Sequence, residues 1–457
     1  MVEEKKLTKE QLLKKSEEPS NNALRMHPFY KGKVQVMPRC QIKSYDDFGI
    51  WYSPGVAAPC EEIKKNPEKV YDYTSKWNYV GVVSDGTRVL GLGDIGPKAG
   101  LPVMEGKALL FKYLGGVDAF PLCIGPNLSA EDIIRFVKNI QPTFGGINLE
   151  DISKPKCFKV LDTLRSDPEI EIPVWHDDQQ GTACVTLAGI INALQIVGKK
   201  RKNVKIVFNG IGASNFAISR LLDKAGFDLH KAIFVDSRGI LHKEREDLQN
   251  PDYYKYEIAQ KSNPQELTGN VDTALEGADI LISLSIPGPG VIKKEWVSRM
   301  ADDSIVFACA NPIPEIFPWD AKDAGARIVA TGRSDFPNQV NNSLGFPGIF
   351  RGTLDVRAET ITDEMCIAAA NELANLAEEI YGSLDEENLL PTMQYKEVFI
   401  KEAVAVGMKA IEQDIALIKL SEEELYNRAN KIISNSQKQT KTLMEEGYIP
   451  QFDDYVT

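Results

Sequence analysis

The stretch KIVFNGIGASNFAISRLL, residues 205–222, constrains the fold of this chain more than any other. An apolar run ends in Gly210-Ile211-Gly212-Ala213-Ser214-Asn215 and passes directly into a helical pattern. A dinucleotide-binding loop is built this way, with a tight turn at the first glycine and close phosphate approach at the second. The amides of the following helix then meet the pyrophosphate. The third glycine of G-x-G-x-x-G governs helix–strand packing, and Asn215 stands in its place. Gly210, Gly212, Ala213, Ser214 and Asn215 are therefore the candidate loop for NAD or NADP. The next apolar run, KAIFVDS, ends in Asp236, where an acid would hold ribose hydroxyls. Arg238, two positions on, would instead suit a 2′-phosphate, so both cofactors stay open.

The pattern around this stretch extends the inference. TACVTLAGIINALQIVG reads as a helix, VKIVFNG, KAIFVDS, DILISLS, IVFACANP and RIVATG as strands, with NFAISRLLDKAG and DTALEGA as intervening helices. Such alternation implies a doubly wound parallel sheet. The fold expected is α/β: an N-terminal α/β substrate domain over 1–165, a Rossmann-type dinucleotide domain over 166–360, and C-terminal helices over 361–457 that pack back on the N-terminal part. Within the first part, KWNYVGVVSDGTRVLGLG reads as a hairpin turning at Asp85-Gly86. VMEGKALLFKYLGG reads as a helix stopped by Gly115 and Gly116, AEDIIRFVKNI as an amphipathic helix, and FGGINLEDI as a strand ending in acids. The first twenty or so residues read as a polar helix or frayed arm.

A second glycine cluster, Gly91-Leu92-Gly93-Asp94-Ile95-Gly96, matches G-x-G-x-x-G literally but fails on context. It is followed by Pro97 and further loop, with no acid-ended strand at the required distance. Its glycines are better suited to letting the backbone lie close to something small. Arg88 and Lys107 flank it. Arginine suits a carboxylate in two-pronged fashion. A lysine at the start of a helix has its pKa lowered by the dipole and can serve as a base. A solvated surface cation is the default for either.

Glu150-Asp151 and Asp177-Asp178 each follow an apolar strand. Neighbours on a strand face opposite ways, so both members reach one point only past the strand end. Carboxylates converging there need a cation, and hard oxygen ligands favour Mg²⁺ or Mn²⁺. Helix caps and solvated acids are the alternative. Tyr52 precedes a Pro-Gly turn, where a tyrosine is ordinarily a packed aromatic. Asn311 and Asn342 sit at a strand end and in a glycine-rich loop, as turn formers or amide ligands.

A formal net charge of −12 disfavours nucleic acid and anionic membrane as partners. No apolar run approaches membrane-spanning length, and the N-terminus has neither signal nor transit character. Seven cysteines, with no C-x-x-C pair, suit reduced thiols in the cytoplasm.

Taken together, YSPGVA, DGTRVLGLGDIGPKAGLPVMEGKALL, NLEDI, HDDQQGTA, NGIGAS, ANPIPEI and NNSLGFPG resemble the malic enzymes, in that family's order, between Trp51 and Arg351. The chain is similar to the short prokaryotic-type form. The resemblance implies oxidation of L-malate by NAD(P)⁺ and decarboxylation, through oxaloacetate and enolpyruvate, to pyruvate and CO₂. It implies Lys107 as general base with Asp177 as partner, and Tyr52 as the acid that protonates the enolpyruvate. Arg88 would bind a malate carboxylate, and Glu150, Asp151 and Asp178 would hold the metal. Asn311 and Asn342 would complete substrate and nicotinamide contacts, in a homodimer. An amino-acid dehydrogenase and a non-catalytic nucleotide sensor are the rival readings. Neither accounts for the acid pairs, and metal-dependent turnover separates all three.

Overall fold

The computed structural model describes residues 9–250, 253–333 and 335–452, with side chains from residue 18 onward. Two parallel sheets organise the chain. The first has the order β2-β1-β3-β4, with β1 (Tyr79–Ser84), β2 (Asp118–Cys123), β3 (Gly146–Leu149) and β4 (Val174–His176). The second has the order β10-β9-β8-β5-β6-β7, formed by β5 (Ile206–Asn209), β6 (Ile233–Asp236), β7 (Gly239–Ile240), β8 (Ile280–Ser283), β9 (Ile305–Ala308) and β10 (Ile328–Thr331). All its pairings are parallel except β6 with β7, a short antiparallel edge that the sequence reading lacked. The doubly wound expectation holds. Strands β5, β8, β9 and β10 are buried along their length, as parallel strands covered on both faces must be.

The hairpin expected around Asp85-Gly86 does not form. The turn exists, with Gly86 at φ +68° packed against the backbone of Gly96, but the chain does not return as a strand. β1 takes parallel neighbours on both sides, β2 and β3, and the returning arm makes only one bridge, Val89 to Gly93. The first sheet also runs past residue 165, because β4 pairs with β3.

The helix that follows spans Gly96–Gly115, about two turns earlier at its start than the sequence reading placed it. Pro97 lies in its first turn, where its missing N–H costs nothing, and Gly116 at φ +64° ends it as expected. The amphipathic helix forms over Ala130–Ile140 with a Ser129–Asp132 capping box.

A five-residue π-turn, Asp177–Gly181, opens into the helix Thr182–Val197, whose residues are buried almost throughout. Contrary to expectation, Asp177–Val197 is long and apolar enough to cross a membrane, but most of it is buried inside the fold. It is apolar all round because protein surrounds it. Helix Asp363–Tyr381 lies against it, with the Asn192 amide donating to the carbonyls of Ala374 and Leu389. Helix Glu422–Glu445 returns to Gly96–Gly115, where the Ser436 hydroxyl donates to Lys112 O.

Candidate active site

The two acid pairs meet because both lie one step past a strand end. β3 stops at Leu149 and β4 at His176, neighbours in the first sheet, so Glu150-Asp151 and Asp177-Asp178 emerge side by side. The chain turns sharply at each. Asp151 adopts φ +53°, and the π-turn aims Asp177 inward. Gly181 is required there, since a Cβ would lie 1.9 Å from Asp177 Oδ1.

Lys107 reaches this cluster from the middle of helix Gly96–Gly115. Its Nζ donates to Asp177 Oδ2 at 2.5 Å, lies 3.1 Å from Glu150 Oε1, and sits 4.4 Å above the Phe346 ring. The Trp175 indole donates to the other Asp177 oxygen at 3.2 Å, and Asn148 donates to Glu150 at 2.8 Å. These partners fix both carboxylates in orientation.

Helix-start electrostatics does not act on Lys107, because the helix begins three turns before it. Burial favours the neutral amine, but the carboxylates of Asp177 and Glu150 outweigh burial and hold its pKa above the ordinary lysine value. The acids are displaced too. Burial, and then the crowding of like charges, pushes Glu150 well up and Asp151 to about 8. Asp177 is raised by burial against the pull of Lys107. One ammonium among four carboxylates leaves the cluster short of positive charge.

Glu150, Asp151 and Asp178 each offer an oxygen within 4.8 Å of the others, the one such group of metal-ligating side chains among the described residues. Asp151 Oδ2 is buried without a hydrogen-bond partner, and the Asp151 N–H donates to Asp178 at 2.8 Å. An all-carboxylate donor set with an orphaned oxygen fits a hard divalent cation of the Mg²⁺ or Mn²⁺ kind. His176 is also buried, with neither ring nitrogen bonded and Nδ1 3.7 Å from Asp178. Sequence reasoning passed over it because histidines were too few to single out. Phe346, Trp175 and Asn148 were missed too, since packing and hydrogen-bonding partners leave no motif.

The dinucleotide loop borders the cluster. Gly210, at φ +88°, has Leu284 O where a Cβ would stand, so it must be glycine. Gly212, at the start of helix Ala213–Lys224, faces open space. The Ser214 hydroxyl donates to Asp178 O at 2.9 Å, tying the loop to the acids. Asn215 is buried and gives its amide to Asn209 O and Gly210 O, which holds the turn. Asp236 is engaged: Arg245 donates to both its oxygens, at 2.9 and 3.2 Å, and Lys255 pairs with it as well.

Of the remaining candidates, Arg88 is exposed beside the cluster, its N–H donating to Asp151 O at 3.0 Å. Asn342 lies beside Gly181, and the carbonyl of Asn311 meets Gly91. The second glycine cluster is therefore a place where backbone packs on backbone: a Cβ on Gly91 would come within 2.4 Å of Asn311 O. Tyr52 is exposed, and its hydroxyl has no hydrogen-bond partner among the described residues.

Comparison with known proteins agrees with this arrangement. Residues 31–131 match the family "Malic enzyme, N-terminal domain", and residues 179–411 match "Malic enzyme, NAD binding domain". The chain is 46% identical over 410 residues to the bifunctional malic/malolactic enzyme of Bacillus subtilis (strain 168), covering 90% of this chain and 97% of that one. It is 48% identical over 385 residues to the NAD-dependent malic enzyme of Geobacillus stearothermophilus, covering 84% and 78%. Other relatives are named NADP-dependent malic enzymes. The crystal structure of Entamoeba histolytica malic enzyme matches with a TM-score of 0.93 and 47% identity, over 98% of this chain and 93% of that one. With both family domains matched in order, and the fold shared along nearly its whole length, the chain belongs to the malic enzymes.

Proposed function

We propose that the chain oxidises and decarboxylates L-malate to pyruvate and CO₂ with reduction of NAD(P)⁺. The observation that carries this is Lys107 buried among four carboxylates at the edge of a dinucleotide loop. Arg88 takes a substrate carboxylate at the open side of the cluster. Lys107 accepts the 2-hydroxyl proton, with Asp177 orienting its amine and sharing the charge. Hydride leaves C2 for the nicotinamide held from the Gly210–Asn215 loop, with Asn311 and Asn342 beside it. The C3–C4 bond then breaks, its electrons passing into the enolate as CO₂ departs, and Tyr52 protonates C3. A divalent cation on Glu150, Asp151 and Asp178 would polarise the 2-oxygen as a Lewis acid and cancel the field that keeps Lys107 protonated.

Asp236 supports NADP over NAD. The acid that would hold a free ribose diol is already engaged, and around it three cations, Arg238, Arg245 and Lys255, face two acids, Asp236 and Asp247. The free cysteines support a reducing compartment, the cytoplasm.

Lys107→Ala and Asp178→Asn test the assignment. Each should cut L-malate-dependent NAD(P)H formation by ~10²-fold or more while dinucleotide binding, followed by nucleotide fluorescence, persists. Wild-type turnover in either variant would overturn it.

A further inference from the structure

Lys154 lies on the loop that leaves β3, shortly beyond Glu150 and Asp151, yet its amine reaches the other sheet. Its Nζ donates to Ile211 O at 2.8 Å, between the two glycines of the dinucleotide loop. The residue as a whole is exposed, while its amine is partly covered and lies 5.9 Å from the centroid of the Tyr254 ring. Among the described residues no carboxylate pairs with it.

The Ile211 carbonyl does not need Lys154. The Tyr254 hydroxyl, at the start of helix Tyr254–Lys261, donates to the same oxygen at 2.8 Å. One donor is enough to keep a buried carbonyl satisfied, so Lys154 can leave without orphaning it. A lysine held on a neutral carbonyl gives up rotamer freedom for a bond weaker than one to an anion. Its surroundings press the same way. Burial of the amine is the first cause that lowers its pKa, and the charges of Lys255 and Arg88 add to it, against the pull of Asp236. Lys255 has Asp236 to answer its own charge, whereas Lys154 has no such partner.

We infer that Lys154 binds the pyrophosphate of the dinucleotide, releasing Ile211 O when the cofactor arrives. The inference rests on the reading of Gly210–Asn215 as the pyrophosphate loop. That loop leaves room for the anion: a Cβ on Gly212 would meet nothing within 4 Å, and helix Ala213–Lys224 opens without a capping side chain. The amides of the loop and helix offer only partial positive charge to a dianion. An ammonium on a flexible stem adds a full charge and can follow the phosphate as it settles. Because Lys154 comes from the first sheet and the amides from the second, the cofactor is gripped from both. Its arrival braces the same loop that carries Glu150 and Asp151.

Binding of NADH and NADPH to the full-length protein without substrate, followed by nucleotide fluorescence, reads this contact. Lys154→Met keeps the stem and removes the charge. It should weaken both dinucleotides about tenfold, the size of one charge-assisted hydrogen bond, and Lys154→Arg should restore most of the affinity. Should Lys154→Met fold poorly, Lys154→Gln takes its place. Competition by ADP and by adenosine separates phosphate binding from a brace on the loop. The substitution should weaken ADP about tenfold and leave adenosine unchanged. Equal losses for ADP and adenosine would assign Lys154 to holding the loop's shape and overturn the inference. Unchanged dinucleotide affinity would overturn it too, as would a loss confined to NADPH, which places the ammonium on the ribose 2′-phosphate. Failure of the wild-type protein to bind either dinucleotide would be a different failure, overturning the reading of the loop and the inference with it.

Discussion

Glu402 and Lys107 are both ionisable side chains closed off from water, and their partners set them apart. Lys107 is matched by two carboxylates and keeps its charge. Glu402, on helix Lys396–Glu412, has no hydrogen-bond partner at either oxygen among the described residues, and Oε2 occupies the space where a Cβ on Gly348 would lie. Burial pushes its pKa well above the ordinary carboxyl value, with Glu372 adding to the effect. The folded protein therefore keeps a proton that the unfolded chain releases above about pH 4.3, and stability falls as pH rises from there, by up to ~1.4 kcal/mol per pH unit. Glu402→Gln removes the ionisation while keeping the shape. Its gain in melting temperature should be larger at about pH 8 than at about pH 5. Equal shifts at the two pH values would contradict the assignment of a neutral, buried carboxyl.

At the scale of elements, the end of β6 offers a separate test. Lys255→Ala removes one of the three cations beside Asp236, leaving Arg245 to satisfy the acid. kcat/KM for NADP⁺ should fall roughly tenfold, the size of one charge-assisted hydrogen bond, with little change for NAD⁺. Equal losses with both cofactors would assign Lys255 a structural role instead. The strand itself was legible, as were β5, β8, β9 and β10, because buried parallel strands are short apolar runs bounded by turn residues. The helix Gly96–Gly115 was legible only in its second half. Gly96, Pro97, Gly100 and Pro102 read as loop, and only packing overrides that local preference. From this followed the misplacement of Lys107 near a helix start. The convergence of the two acid pairs was inferable, since both follow strands, but the π-turn that aims Asp177 has no periodicity to betray it.

For the molecule as a whole, the site lies where two sheets meet. The first supplies the acids from the carboxyl ends of β3 and β4, and the second supplies the glycine loop from the carboxyl end of β5. Ligands of open α/β sheets bind outside such strand ends. The bond from Ser214 to Asp178 O links the two, so substrate groups and cofactor loop are held in a common frame. What the sequence could not disclose was the exposure of Tyr52, because exposure is a property of the folded chain and a tyrosine beside a turn looks the same either way. The central claim, a divalent-metal-dependent malate site beside the glycine loop, is tested most directly by product stoichiometry. Pyruvate and reduced dinucleotide are measured together from L-malate with Mn²⁺, with NAD⁺ and NADP⁺ separately, and again with excess chelator. The account expects the two products in equal amounts, faster with NADP⁺, and both lost with chelator. Turnover undiminished by chelator, or reduced dinucleotide formed without pyruvate, would contradict it.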